Sequence, residues 1–149
     1  MNTATIKWVD GYQFVGKADS GHAVVMDAGS DIGGADSGVR PGELPLIGLG
    51  GCTGVDVILI LSKMREPIDT FEIQVRGERV DEDPSIFKEI WVKYIIRGDI
   101  REKAVQRAVR LSADKYCSVG AIMKASATMH YEYEIIYPSG ETKTGTIGD

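Results

Sequence analysis

Two cysteines carry the reactive potential of this chain. Cys52 ends the glycine-rich run Gly48-Leu49-Gly50-Gly51-Cys52, just before the most hydrophobic stretch, Val55 to Leu61. A thiol beside a helix N-terminus meets free N–H groups and the positive end of the macrodipole, which favour the nucleophilic thiolate. Cys117 follows 65 residues later in Asp114-Lys115-Tyr116-Cys117-Ser118-Val119-Gly120, and there is no third cysteine. Spacing alone leaves open whether they form one redox pair or two inert buried thiols. Glu43, in Arg40-Pro41-Gly42-Glu43-Leu44, precedes Cys52 by nine residues. On one straight helix the two would lie on opposite faces and roughly 13 Å apart along the axis, so they meet only if the chain breaks at Pro45 or the glycines. Taken alone, Glu43 reads as a first-turn carboxylate. Asp56, one turn after Cys52, reads as a complement to the helix N-terminus, although its charge would oppose a neighbouring thiolate.

Other chemistries fit less well. A dinucleotide-binding G-x-G-x-x-G started at Gly48 needs glycine where Thr53 stands, and a P-loop needs Gly-Lys-Ser/Thr where Gly54 is followed by Val55. No pair among Cys52, Cys117, His22 and His130 has metal-ligand spacing, so no metal or organic cofactor is expected. Neither histidine is tied to Cys52 by a protease-like spacing; both read as surface residues.

The 149 residues suit one domain, spanning 1–149. Seventeen basic residues stand against 22 acidic ones, for a net charge of −5 with interspersed signs, which gives nucleic acid no basic face. The longest uninterrupted apolar run is Val57 to Leu61, too short to span a bilayer, and the first residues lack a basic then apolar leader. The expectation is a soluble, cytoplasmic protein with no membrane or nucleic-acid partner, in whose reducing surroundings a disulfide is transient and catalytic rather than structural.

The elements that would position these residues follow from periodicity. Thr3–Val9, Tyr12–Lys17 and Ala23–Met26 read as a three-stranded meander over residues 1–27, with a hairpin turn at Asp10-Gly11. Residues 28–41, rich in Gly, Ser and Asp, read as a long loop. Within 42–149, Glu43–Met64 reads as helix in two pieces, because Pro45 and four glycines resist continuity. The second piece is apolar on nearly every face and predicts a partner subunit covering part of it. Residues 71–76 and 90–96 alternate as half-buried strands, Asp99 with Glu102 reads as a capping box opening a helix that ends near Cys117, and Ala127–Ile135 reads as a last strand before a polar tail. The order argues an α+β domain with antiparallel sheets packed on helices.

Pro41-x-Glu43-Leu44 leading to Leu49-Gly50-Gly51-Cys52-Thr53, with Lys115-Tyr116-Cys117-Ser118-Val119 downstream, resembles the two cysteine segments of the OsmC/Ohr family of thiol-dependent hydroperoxide reductases. The similarity runs from the N-terminal strands through the final strand and is nearer the OsmC-like branch. It implies an OsmC-like fold: an intertwined homodimer with sheets wrapped around buried central helices and sites at the interface. It also implies Cys52 as peroxidatic thiolate, Cys117 as resolving thiol, Glu43 in the surrounding polar network, an organic hydroperoxide as substrate and an external dithiol as reductant. The family's arginine in the N-terminal strands has no counterpart in Lys17-Ala18-Asp19-Ser20-Gly21-His22, and Arg40 is the substitute to consider. The rival expectation is a non-enzymatic protein of the same fold that binds a small apolar or electrophilic ligand at the dimer interface.

Overall fold

The computed structural model describes residues 1–148, which group into two compact units, Met1–Pro45 and Leu46 onward. In the first unit β1 (Ala4–Asp10), β2 (Gln13–Ala18) and β3 (Ala23–Met26) form the expected antiparallel meander, in register Trp8↔Phe14 and Phe14↔Met26. The loop that follows is tied down by side chains. Buried Asp27 accepts the Ser37 backbone N–H at 3.1 Å and its hydroxyl at 2.7 Å, and Val39 bridges to Met26. The Ser37 hydroxyl, foremost, holds the Asp27 carboxyl below the usual carboxylate range.

The helix α1 (Leu44–Lys63) is continuous over 20 residues, which corrects the two-piece expectation. Pro45 is tolerated because it sits in the first turn, where its missing N–H has no helical partner. Each interior glycine costs about 1 kcal/mol relative to alanine, offset here by burial of Leu49, Val57 and Leu61 and by close packing at Gly54. A Cβ on Gly54 would stand 2.9 Å from the Ile73 side chain. Within one chain the helix leaves Ile47, Val55 and Leu59 exposed, the part of its apolar surface for which a partner subunit is expected. By length and composition Pro41–Lys63 would suffice to cross a membrane, which a count of uninterrupted apolar runs overlooks. Its Leu49, Val57 and Leu61 are nevertheless part of the protein core.

The second unit's sheet runs in the order β4 (Thr70–Arg79), β5 (Phe87–Arg97), β6 (Thr128–Ile136), β7 (Thr142–Ile147). The pairs β4·β5 and β6·β7 are antiparallel, but β5·β6 is parallel, so the sheet is mixed rather than antiparallel throughout. A parallel pair needs a long crossover, and here it contains α2 (Glu102–Leu111), a π-helical turn at Ser112–Tyr116 and α3 (Ser118–Met123). Alternation buries Ile90, Val92, Tyr94 and Ile96 beside Tyr131, Tyr133 and Ile135, in a core shared with Ala104, Val105, Ala108 and Val109 of α2. Both α3 and β7 lay outside the elements expected from sequence. The capping box at Asp99 does not form. The helix starts at Glu102, and Arg101 donates its backbone N–H to Glu66 at 2.9 Å. Glu102 instead accepts the Tyr133 hydroxyl at 2.7 Å and pairs with Lys143.

Candidate functional site

Cys52 is the ninth residue of α1, more than two turns inside it, so its own helix terminus does not reach the thiol. The terminus that does belongs to α3. Cys117 caps that helix, with its sulfur accepting the Gly120 N–H at 3.3 Å, and the Val119 N–H and the Ser118 hydroxyl donate to Cys52. A Cβ on Gly120 would lie 3.3 Å from the Cys117 sulfur, so the small residue preserves this fit.

The two sulfurs and a carboxylate oxygen of Asp56 lie within 4.8 Å of one another. The sequence-derived pair therefore meets. Partial burial pushes the Cys52 thiol up, but donation from Val119, Cys117 and Ser118 outweighs it and leaves the thiol below its ordinary value; Asp56 opposes that stabilisation. Burial, first, drives the Cys117 thiol up to about 11, and the Cys52 and Asp56 charges add to the rise. One partner is set toward thiolate and the other toward thiol.

Asp56 is thirteenth in α1, far from the helix start it was expected to complement. Its Oδ2 accepts the Ser112 hydroxyl at 2.9 Å; Ser112 lies 2.9 Å from Thr53 Oγ1, itself 2.6 Å from the Tyr94 hydroxyl. Thr53, Tyr94 and Ser112 are all buried. This network was not anticipated. Its only sequence signal is a threonine and an aspartate interrupting an apolar helix, and their partners lie 41 to 59 residues away. A cavity of about 430 Å³ adjoins Asp56, with apolar walls including Ile60, Met64 and Leu111 and two cations, Lys63 and Arg107.

The family model described as OsmC-like protein matches residues 34–132. Protein YhfA of Escherichia coli is 38% identical over 134 residues, covering 89% of this chain and 97% of the relative. The chain belongs to the OsmC-like family. Among solved structures, a hypothetical protein from Aquifex aeolicus superposes with a TM-score of 0.81 at 32% identity, covering 92% of this chain and 97% of that one. An organic hydroperoxide resistance protein OsmC from Legionella pneumophila gives 0.66 at 11% identity, covering 91% and 96%, and shares the fold.

Against the pattern expected of an OsmC-like protein, Glu43 lies in the first unit, in a 3₁₀ turn at Pro41–Glu43, where its carboxylate accepts the Arg40 N–H at 2.9 Å. The Arg40 guanidinium is held by Asp36 at 2.5 Å and by the Gly38 carbonyl at 3.0 Å. His22 is exposed; His130 is half-exposed, stacked on Trp91 and hydrogen-bonded to Glu89. Cys52, Asp56 and Cys117 thus bring two sulfurs and one carboxylate oxygen together, a grouping hidden from a search for Cys and His spacings because one member is a carboxylate on the same helix.

Proposed function

We propose that this OsmC-like protein is a two-cysteine peroxidase of organic hydroperoxides, working as a homodimer. The observation that carries the reading is the pairing of Cys52, set toward thiolate, with a protonated Cys117 whose sulfur is within 4.8 Å. The Cys52 thiolate attacks the terminal peroxide oxygen; the O–O bond breaks, the alkoxide leaves as alcohol after taking a proton, and Cys52 becomes a sulfenic acid. Cys117 condenses with it, giving a disulfide and water. An external dithiol then returns both thiols by exchange. The name of the Legionella relative is consistent with this chemistry.

The apolar walls of the cavity beside Asp56 suit an alkyl or aryl group better than hydrogen peroxide. Ile47, Val55 and Leu59, beside half-buried Ile73 and Val75, offer an apolar face that a second copy would cover. Glu43 is assigned to the polar network around the thiols on the family resemblance alone. The experiment is dithiol-dependent consumption of cumene hydroperoxide by wild type, Cys52→Ser and Cys117→Ser. Turnover should vanish in Cys52→Ser, while Cys117→Ser should retain the stoichiometric first step. A wild type no faster than Cys52→Ser removes the peroxidase reading.

A further inference from the structure

The resolving step of a two-thiol cycle needs a proton carrier. Burial, first, pushes the Cys117 thiol up to about 11, so at neutral pH it holds the proton it must lose in order to attack. The sulfenic oxygen on Cys52 must leave as water, which calls for a proton at the same place. Asp56 presents a carboxylate oxygen within 4.8 Å of both sulfurs.

Counting hydroxyl protons fixes the direction of the network behind it. Ser112 gives its single proton to Asp56 Oδ2, so in its 2.9 Å contact with Thr53 it must accept. Thr53, having donated there, accepts from Tyr94 at 2.6 Å. The chain runs one way, Tyr94 to Thr53 to Ser112 to Asp56, and every dipole in it points its positive end at the carboxylate. Activation of Cys52 does not explain the residue, because its charge works against that thiolate. Helix-end compensation does not either, because Asp56 is mid-helix. Its carboxylate also borders the 430 Å³ cavity, through which protons can exchange with solvent.

We propose that Asp56 carries the proton of the resolving step, taking it from Cys117 as that sulfur attacks Cys52 and handing it to the departing hydroxide. The Cys117 S–H and Cys52 S–O bonds break, and the S–S bond and one O–H bond of water form. The sulfenic sulfur is reduced, the thiol sulfur is oxidised, and the carboxylate is regenerated ionised. This inference rests on the two-cysteine reading, but it can be tested without a peroxide.

Dithionitrobenzoate should first react at Cys52, releasing one coloured thiolate and leaving a mixed disulfide. In a second phase Cys117, once deprotonated, displaces the other, and Cys117→Ser, which lacks this phase, identifies it. General-base catalysis is worth orders of magnitude, so Asp56→Asn should slow the second phase by about tenfold or more while the first is unchanged or faster. Asp56→Ala should match Asp56→Asn, since both lack the carboxylate. The inference is overturned if Asp56→Asn leaves the second phase at the wild-type rate, if both phases slow alike, or if Asp56→Asn restores what Asp56→Ala loses, which would make shape the requirement. Hydroperoxide consumption by wild type, measured separately, decides the peroxidase reading on its own.

Discussion

The backbone N–H of Val119 donates to the sulfur of Cys52, so the thiol draws its electrostatic support from a helix other than its own. Both cysteines thus depend on the start of α3: Cys117 caps it, and Cys52 faces it from the middle of α1.

The first consequence concerns thiol reactivity. Cys52 is set below and Cys117 above the ordinary thiol, so iodoacetamide near neutral pH should modify Cys52 first. The rate at Cys52 should rise to its plateau at lower pH than for a free cysteine. Peptide mapping after partial labelling checks this, and equal labelling of the two sites would contradict it.

Acid stability should depend on Glu66. Burial pushes its carboxyl up, but the Arg101 backbone N–H, side chain and charge outweigh that, leaving it below the ordinary 4.5. A depressed folded value means stability that is present above 4.5 and is lost as pH falls through the folded value. Hydrogen bonds to a buried charge suggest that Glu66→Gln costs about 1–2 kcal/mol at neutral pH. Denaturant titrations should show that difference shrinking at pH 3; a constant difference would exclude the carboxylate's charge as its source.

The exposed face of α1 should hold the dimer together. Val55 is 70% exposed in the single chain, so Val55→Asp should change the stability of an isolated protomer by no more than about 0.5 kcal/mol. Against a second copy the same charge would be buried and unpaired. Light scattering should find wild type dimeric and Val55→Asp folded but monomeric. Identical masses would place the interface elsewhere.

Selectivity should follow the cavity cations. Arg107 and Lys63 line the space beside Asp56, so a hydroperoxide bearing a carboxylate gains an ion pair there that cumene hydroperoxide does not. Arg107→Ala should raise KM for the anionic substrate severalfold, an ion pair in partly solvated surroundings contributing about 1 kcal/mol, with little change for cumene hydroperoxide. Equal effects on both substrates would count against a role in recognition.

The strands were legible because β5 and β6 alternate so regularly that Ile90, Val92, Tyr94, Tyr131, Tyr133 and Ile135 declare a buried face. The proximity of Cys52 and Cys117 was implied by the family resemblance, not by their spacing. Three things were not legible. Glycines in α1 read as breakers, yet close packing against Ile73 and burial of the apolar positions override their propensity. Asp99 read as a cap, yet Glu66, remote in sequence, takes the Arg101 N–H. The short α3 hid behind Ser118, Val119 and Gly120, none of them a strong helix former, although it supplies the donors at the thiol. The helix start near Cys52 is that of α3, not that of the helix which bears the thiol.

The parallel pairing of β5 with β6 closes the longest crossover in the sheet. Glu89 must find Thr128 across a long stretch of chain, and contacts of that separation form slowly. Only when that pairing closes are both ends of the crossover bearing Cys117 and α3 anchored. The hydrogen-bond donors facing Cys52 are thus tethered at both ends by a strand pairing that brings together distant parts of the chain.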